Sequence, residues 1–380
     1  MSDSAAIYVH IPFCVQKCSY CDFYSDTDFS LIPDYIEAVT KEIQTRQDSD
    51  RKIETLYFGG GTPSVLAARQ IEQILQAIKK KFNLSLTPEI TLEVNPGTID
   101  SAKLKDYRSL GINRLSVGVQ SFNDEKLVFL NRIHTVRQAL DTLEHAGKAG
   151  FDNIGLDLIY GLPFESEHLW QKELNHAVKI APAHLSCYML TIEPATPLWD
   201  KIKKGQIDPI RPEIQSDMFR QTSLFLTGNG YEHYEISNFA KGVTNRSKHN
   251  CGYWQMKPYL GFGAAAHSFD GKKRSWNHSD IKHYIYDIQS GRLPIDDTEE
   301  LTRSQQMTEA ILLGLRTLDG IDIPEFEQAF DVSFRTMFTT VIHSVCDNRL
   351  GGFQQERFAL NLDGRMRLNN IVEAFVDLIA

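Results

Sequence analysis

The sequence has no excess of positive charge. Its 40 Lys and Arg stand against 49 Asp and Glu, a net charge of -9. That balance argues against a bulk electrostatic grip on nucleic acid or anionic lipid. No apolar run approaches the ~20 residues of a membrane span. The first thirteen residues carry no basic segment, and His10 and Pro12 interrupt their apolar run. The expectation is therefore a cytoplasmic protein without a signal peptide. Cysteine is scarce, with six in 380 residues. That is too few for a disulfide framework, and a chain this long buries a core without such staples. There is no solenoid-type repeat, low-complexity tract or Gly/Ser linker. No Gly-Lys-Ser/Thr follows the run Gly59-Gly60-Gly61, so the common phosphate-binding loop is excluded.

What is present is a rhythm. Short apolar or β-branched runs at 7–12, 55–58, 90–94, 114–119, 154–159 and 185–191 predict strands. Between them, 33–47, 67–82, 100–110, 135–148 and 166–180 have helical spacing. Strand then helix, about six times, reads as βα units on a parallel sheet. A closed barrel of this type takes ~250 residues, whereas the repeat fills about the first 190. The expected fold is therefore α/β, a partial (β/α)6 TIM-like barrel. Near Pro212 the rhythm changes to a helix over 212–226, then an aromatic, Gly-rich stretch over 231–269. The last eighty residues predict helices at 304–318, 324–330 and 334–348. A hairpin is expected from 358–362 and 365–368 around Asp363-Gly364. That order suggests a smaller, mostly helical, winged-helix-like C-terminal domain. Residues 301–380 hold seven Arg, no Lys and eleven Asp or Glu, so a lid or docking role fits better than DNA binding. The expected units are 1–240, a connecting segment 241–300, and 301–380.

The sharpest local signal is Cys14-Val-Gln-Lys-Cys18-Ser-Tyr-Cys21, directly after the first strand. A barrel keeps its chemistry at the strand ends. Three buried thiols used as small hydrophobes are one reading. Zinc is another, with His10 or Asp22 as fourth ligand. A four-iron cluster held by three thiolates is the third, and it leaves one iron open for a small molecule. Polar and glycine residues close the later strands: Gly59 to Pro63, Glu93 and Asn95, Gln120, and Asp157. On a barrel these would share one rim. The glycine run reads as a tight turn, or as backbone approaching a ligand.

The string Tyr8-Val-His-Ile-Pro-Phe-Cys-Val-Gln-Lys-Cys-Ser-Tyr-Cys-Asp-Phe23 resembles the radical S-adenosylmethionine (SAM) signature. More narrowly, it resembles the branch containing oxygen-independent coproporphyrinogen III dehydrogenase. The resemblance extends over nearly the whole chain, through Tyr234-Glu-Ile-Ser-Asn-Phe-Ala240 and Tyr259-Leu-Gly-Phe-Gly-Ala-Ala-Ala-His267 to the tail. It implies a 4Fe–4S cluster on Cys14, Cys18 and Cys21, with SAM on the open iron. It implies that the loop of Gly60, Gly61 and Thr62 meets the SAM amino group and that Glu93 meets its ribose. Gln120, Arg132 and Asp157 match positions that hold a second SAM in the dehydrogenase, and Tyr8 and Tyr20 match SAM-contacting positions. One or two SAM molecules both remain open.

Two branches of that family compete. One oxidatively decarboxylates coproporphyrinogen III. The other, of the HemW type, carries haem to an acceptor. The dehydrogenase has a fourth cysteine where this chain has Phe23, and a long extension where seven residues precede Tyr8. His249-Asn-Cys-Gly-Tyr-Trp254 matches the HNxxYW motif of the haem chaperones. Read without the family, this histidine and its aromatics could simply fill a domain junction. Read within it, His249 ligates haem, with Cys251 as second candidate and the aromatics against the porphyrin face. The expectation is a haem chaperone without coproporphyrinogen dehydrogenase activity and with no residue assigned as catalytic. Its partners would be haem and a haem-accepting protein, membrane-bound respiratory proteins among the candidates, and no nucleic acid. A homodimer is left open. Cluster and SAM would govern oligomeric state, haem release or haem transfer. His10 reads as structural, and Cys187 and Cys346 as core thiols. Spatial clustering of Cys187, Cys251 and Cys346 would instead favour a methyl- or sulfur-transferring radical enzyme.

Overall fold

The structure is a computed structural model and describes residues 4–46 and 51–379. Each apolar run of the first half forms a strand and each amphipathic stretch a helix. In chain order these are β1 (Ser4–Ile11), α1 (Ile32–Thr45), β2 (Lys52–Gly60), α2 (Ala68–Lys81), β3 (Asn83–Val94) and α3 (Ser101–Ser109). There follow β4 (Arg114–Gln120), α4 (Asp124–Phe129), α5 (Val136–Lys148), β5 (Asn153–Tyr160), α6 (Glu167–Ile180) and β6 (His184–Met189). Residues 1–3 of the first expected unit and Gln47, the end of the first expected helix, lie outside the described residues. Side chains cap the helices where the sequence offers them. Asp100 accepts from the Lys103 amide, Thr135 from Gln138 and Ser166 from Leu169.

Strands β1 to β6 pair in sequence order, all parallel. Alternate side chains, such as Ile7, Val9, Leu56, Phe58, Leu92, Leu115, Val117, Leu156 and Leu158, are buried in the main core. The opposite parity puts Tyr8, Tyr57, Glu93, Ser116 and Asp157 on the inner side of the curved sheet.

The second half adds α7 (Pro197–Lys203), α8 (Pro212–Gly228), β7 (Glu232–Glu235), β8 (Asn238–Ala240), α9 (Lys248–Trp254) and β9 (Tyr259–Phe262). Then come β10 (His267–Phe269), β11 (Lys273–Asn277), α10 (Ile281–Gln289) and β12 (Ile295–Glu300). Residues 241–300, expected as a connection, thus carry four strands of the same sheet. Its order is β12-β11-β10-β9-β1-β2-β3-β4-β5-β6-β8-β7. Only β9 joins in parallel, beside β1; β10 to β12 and β7 to β8 are antiparallel extensions. The two ends of the sheet are not paired with each other, so the barrel is open. The extension escaped the sequence pattern because its strands are short and polar; β12 reads Ile-Asp-Asp-Thr-Glu-Glu. A buried carboxylate holds it to α1. Glu42 accepts from the Tyr284 hydroxyl at 2.6 Å, Asn277 Nδ2 at 2.8 Å and the Gly263 amide at 2.9 Å.

The C-terminal unit has its own core. It comprises α11 (Arg303–Leu315), β13 (Ile321–Asp322), α12 (Ile323–Phe330), α13 (Phe334–Met337), α14 (Thr339–Asp347), β14 (Gly351–Gln354), β15 (Arg357–Leu360), α15 (Leu362–Arg365) and α16 (Leu368–Val376). Phe326, Phe334, Phe338, Phe358 and Phe375 pack at its centre in edge-on and tilted contacts. The hairpin lies earlier than expected, β14 pairing with β15 around Gln355-Glu356. Asp363-Gly364 instead belongs to a helical turn, where the Asn361 side chain accepts from the Gly364 amide at 3.0 Å. Asx capping and hairpin turns draw on the same residues, and here the cap prevails. Among the described residues no helix is long and apolar enough to cross a membrane.

Candidate functional site

Beyond the carboxyl ends of β1 to β6 lies a cavity of about 610 Å³. It brings together Cys14, Cys18, Cys21, Tyr20, Gly60, Gly61, Thr62, Glu93, Gln120, Arg132 and Asp157. These residues span more than 140 positions of sequence, and one rim unites them because every βα loop emerges at that end.

The cysteine loop follows β1. All three thiols are free and half-buried. Cys14 Sγ lies 3.4 Å from Thr62 Oγ1, and Arg132 donates to Cys18 Sγ at 3.6 Å. Burial pushes the Cys14 and Cys21 thiols up, and the neighbouring Cys18 adds to both. Among the described residues only His278, His283 and Asp287 bring three donor atoms within 4.8 Å of one another. The three cysteine sulfurs are therefore not all within 4.8 Å of one another.

The glycine loop is shaped by its neighbours. Gly60 has φ +115°, and a Cβ there would lie 2.6 Å from the His10 ring. A Cβ on Gly61 would meet Cys14 Sγ at 3.0 Å and the Phe13 carbonyl at 2.9 Å. Both positions need glycine for internal packing as well as for any ligand. Glu93 is held from two sides, by the Tyr57 hydroxyl at 2.8 Å and the Gly60 amide at 3.2 Å. Burial, helped by the charge of Asp157, pushes its carboxyl up to about 7. Asp157 accepts from the Ser116 hydroxyl at 2.9 Å, and burial raises its pKa too. Gln120 sits at a register shift of β4 with φ +65°, a left-handed backbone uncommon for glutamine. Its side chain passes over Gly118, where a Cβ would lie 2.8 Å from Gln120 Nε2. Arg132 donates to the Gly118 carbonyl at 3.0 Å.

Several residues that build this rim were not singled out from sequence. Tyr57, Ser116 and Tyr188 line the cavity. Each is a polar-tipped side chain at inward parity within or beside an apolar strand, which was the available signal. Behind the rim, buried Lys126 pairs with Glu165 and, at 3.1 Å, with Glu173. Glu165 accepts from the Gly161 amide at 2.7 Å, and Glu173 from Phe122 N at 2.6 Å. The triad thereby ties the loops after β4 and β5. No local pattern announces it, since its members lie 39 and 47 residues apart.

Tyr8 and His249 stand apart from the cavity lining. The His249 ring is buried in the sheet's curve, stacked on Tyr57 at 4.9 Å and edge-on to Tyr253 at 4.9 Å. Its Nδ1 shares a hydrogen with Thr55 Oγ1 at 2.8 Å and its Nε2 with the Tyr253 hydroxyl at 2.9 Å. Burial pushes its pKa down to about 3, so the ring is neutral. Glu89 of β3 anchors this helix, accepting from the His249 amide at 3.0 Å. Tyr8 stacks on Tyr57 at 6.1 Å and hydrogen-bonds His10 Nδ1 at 3.0 Å.

The other face of α9 borders a second cavity of about 1060 Å³, between the sheet and the C-terminal unit. Cys251, Trp254 and Met256 line it, facing Phe326 and Phe330, with Arg51, Lys257 and Arg357 among its charged residues. Arg51 precedes β2 and Pro258 precedes β9, so this cavity lies at the strands' amino ends, opposite the first. Burial holds the Cys251 thiol up at about 11. Cys187 is buried in the main core and Cys346 packs on the C-terminal core. The three remaining cysteines thus sit in separate surroundings and form no second cluster site.

The chain matches the radical SAM superfamily over residues 8–177 and the HemN C-terminal domain over residues 301–367. A heme chaperone HemW of Bacillus subtilis is 33% identical, covering 97% of this chain and 98% of that protein. A heme chaperone HemW of Haemophilus influenzae is 41% identical, with 98% and 97% covered. Among solved structures, the coproporphyrinogen III oxidase HemN of Escherichia coli, a radical SAM enzyme, has a TM-score of 0.85. It is 26% identical and covers 98% of this chain and 90% of that one.

Proposed function

We propose that this chain, which belongs to the radical SAM superfamily and within it to the heme chaperone HemW family, binds haem between α9 and the C-terminal unit and delivers it to an acceptor protein. The dehydrogenase reading is not favoured, because full-length relatives are named heme chaperones and Phe23, 69% exposed, stands where a fourth cysteine would be.

Cys14, Cys18 and Cys21 would hold the 4Fe–4S cluster, and the free, crowded thiols fit that group. When bound, the cluster supplies one-electron chemistry toward SAM at its open iron. Arg132 sets a positive charge against Cys18 Sγ. Glu93, Gln120 and Asp157 offer acceptors and donors around the same cavity for the ribose and amino acid parts of SAM. The Lys126 triad keeps the loops that carry them in place.

The observation that carries the cargo reading is the two-faced helix α9. Its His249 and Tyr253 side chains seal the sheet's inner side, while Cys251 and Trp254 form the wall of the larger cavity. Trp254, Phe326 and Phe330 offer aromatic surface to a flat apolar macrocycle, and Arg51 and Lys257 offer cations to its two propionates. In the same lining Arg246 and Arg357 are already paired with Asp319 and Asp322, and Asp270 and Glu325 add further negative charge. Ligation by His249 requires the Tyr253 hydroxyl to leave Nε2 and the ring to leave its stack. Cys251 needs no such movement, only release of its thiol proton to solvent as the thiolate takes the iron. The seat proposed for haem is therefore the Cys251 side of the helix, with His249 holding that helix in register.

An anaerobic haem titration of cluster-loaded protein, followed by the Soret band, tests this. The expected result is saturable binding that weakens at least tenfold in Cys251→Ala. Weakening only in His249→Ala, with far-ultraviolet dichroism unchanged, would return the ligand to the histidine. Absence of saturable binding, or formation of protoporphyrinogen from coproporphyrinogen, would overturn the chaperone reading.

A further inference from the structure

Outside both cavities, the segment between β11 and β12 gathers two histidines and a carboxylate. His283 and Asp287 are one turn apart on α10, hence on one face. His278 approaches them from the loop after β11. Asp287 Oδ2 lies 3.4 Å from His278 Nε2 and 3.4 Å from His283 Nε2. The two imidazoles stack with centroids 3.9 Å apart. All three donor atoms fall within 4.8 Å of one another.

The value of 3.4 Å is informative. It is longer than the ~2.7–3.2 Å of an N–H···O hydrogen bond. It equals the separation of two donors that each stand ~2.0–2.1 Å from one tetrahedral ion. Asp296 Oδ1 lies 2.9 Å from His278 Nδ1 and holds the ring from its far side, leaving Nε2 turned toward Asp287. Asp287 is fixed for the task, because Arg292 donates to its other oxygen, Oδ1, from Nε at 3.0 Å and Nη2 at 2.5 Å. Its side chain is 6% exposed, while His283 is 51% exposed and can tilt its ring toward an ion.

We infer that His278, His283 and Asp287 form a binding site for one divalent transition-metal ion, zinc by preference, separate from the cysteine loop. Two imidazoles and one carboxylate suit zinc, cobalt or nickel and not magnesium or calcium. Asp296, His278 and the ion would make a carboxylate–histidine–metal relay, the usual outer support of such a ligand. Arg292 offsets part of the negative charge, and the remaining positions open to water. The ion would clamp α10 to the loop after β11, and through Asp296 to β12. It stiffens the antiparallel extension that the sequence pattern left weakest. This inference does not depend on the haem reading.

The test uses cluster-loaded protein, so that the cysteine loop is occupied, washed with chelator and titrated with Zn²⁺ by calorimetry. The expected result is one saturable equivalent. His283→Ala, a surface change that leaves the fold intact, weakens it at least tenfold. Asp296→Asn weakens it about tenfold, the usual cost of losing such a support. Zinc K-edge absorption should report two imidazole nitrogens in the wild type. A wild-type protein that takes up no zinc beyond the cluster would overturn the site. So would uptake that is unchanged in both His278→Ala and His283→Ala, since the ion would then bind elsewhere.

Discussion

At the scale of single residues, burial sets the behaviour of Glu93 more than its hydrogen bonds do. Its carboxyl is pushed up to about 7 although Tyr57 and Gly60 both donate to it. A carboxyl raised in the folded state binds its proton more tightly there than in the unfolded chain. Stability from this group is therefore complete below about pH 4.5 and is lost as pH rises through about 7. Glu93→Gln cannot titrate, so its stability should lack that decline. Urea unfolding of both proteins from pH 4.5 to 7.5 measures the difference, and parallel curves would refute the assignment. Gly60 offers a second residue-level test. Alanine there would adopt φ +115° and press on the His10 ring. Strain of this kind costs about 1–3 kcal/mol. A melting temperature equal to wild type would mean that the loop relaxes freely.

At the scale of elements, the Lys126 triad decides how the loops after β4 and β5 present Gln120 and Gly161. Removing one partner of a buried ion group leaves the others charged and unpaired, which costs about 3–5 kcal/mol. Lys126→Met should therefore lower the urea midpoint sharply. The double change Lys126→Met with Glu173→Gln should recover part of the loss, because one stranded charge is gone. Equal destabilisation in the two would show that the lysine acts only through its packing. The parallel strands were legible in sequence because each is a continuous apolar run between helices. The extension β10 to β12 was not, since its edge strands are polar and exposed, and backbone pairing alone defines them. The terminal hairpin was misplaced for a related reason. Asp363-Gly364 satisfies a turn rule locally, but the phenylalanine core draws Phe358 into β15 and leaves 362–365 to a helical turn.

At the scale of the whole molecule, the two cavities lie at opposite ends of the same strands. The cysteine loop occupies one end, and α9 with the C-terminal unit the other. Between them stand Tyr57 and His249, stacked at 4.9 Å, with Tyr57 bonded to Glu93 and His249 to Tyr253. Substitutions at one end should leave binding at the other intact. Cys14→Ser should lose cluster iron, measured by metal analysis and visible absorption, while retaining haem stoichiometry. Cys251→Ala should show the converse. Loss of both properties in either variant would mean that the two ends are coupled through that stack.

By itself the sequence determined the βα rhythm, the cysteine spacing and the residues that close each strand. These are local properties, set by side-chain periodicity and by glycine and proline chemistry, and they suffice to converge the rim because a parallel sheet sends every loop to one end. The direction of a side chain on a short helix is different, because packing sets it. His249 and Cys251 are two residues apart, and nothing local tells which turns inward. Only the tertiary structure decided it, by supplying Thr55, Tyr57 and Tyr253 to enclose the imidazole and the C-terminal unit to face the thiol.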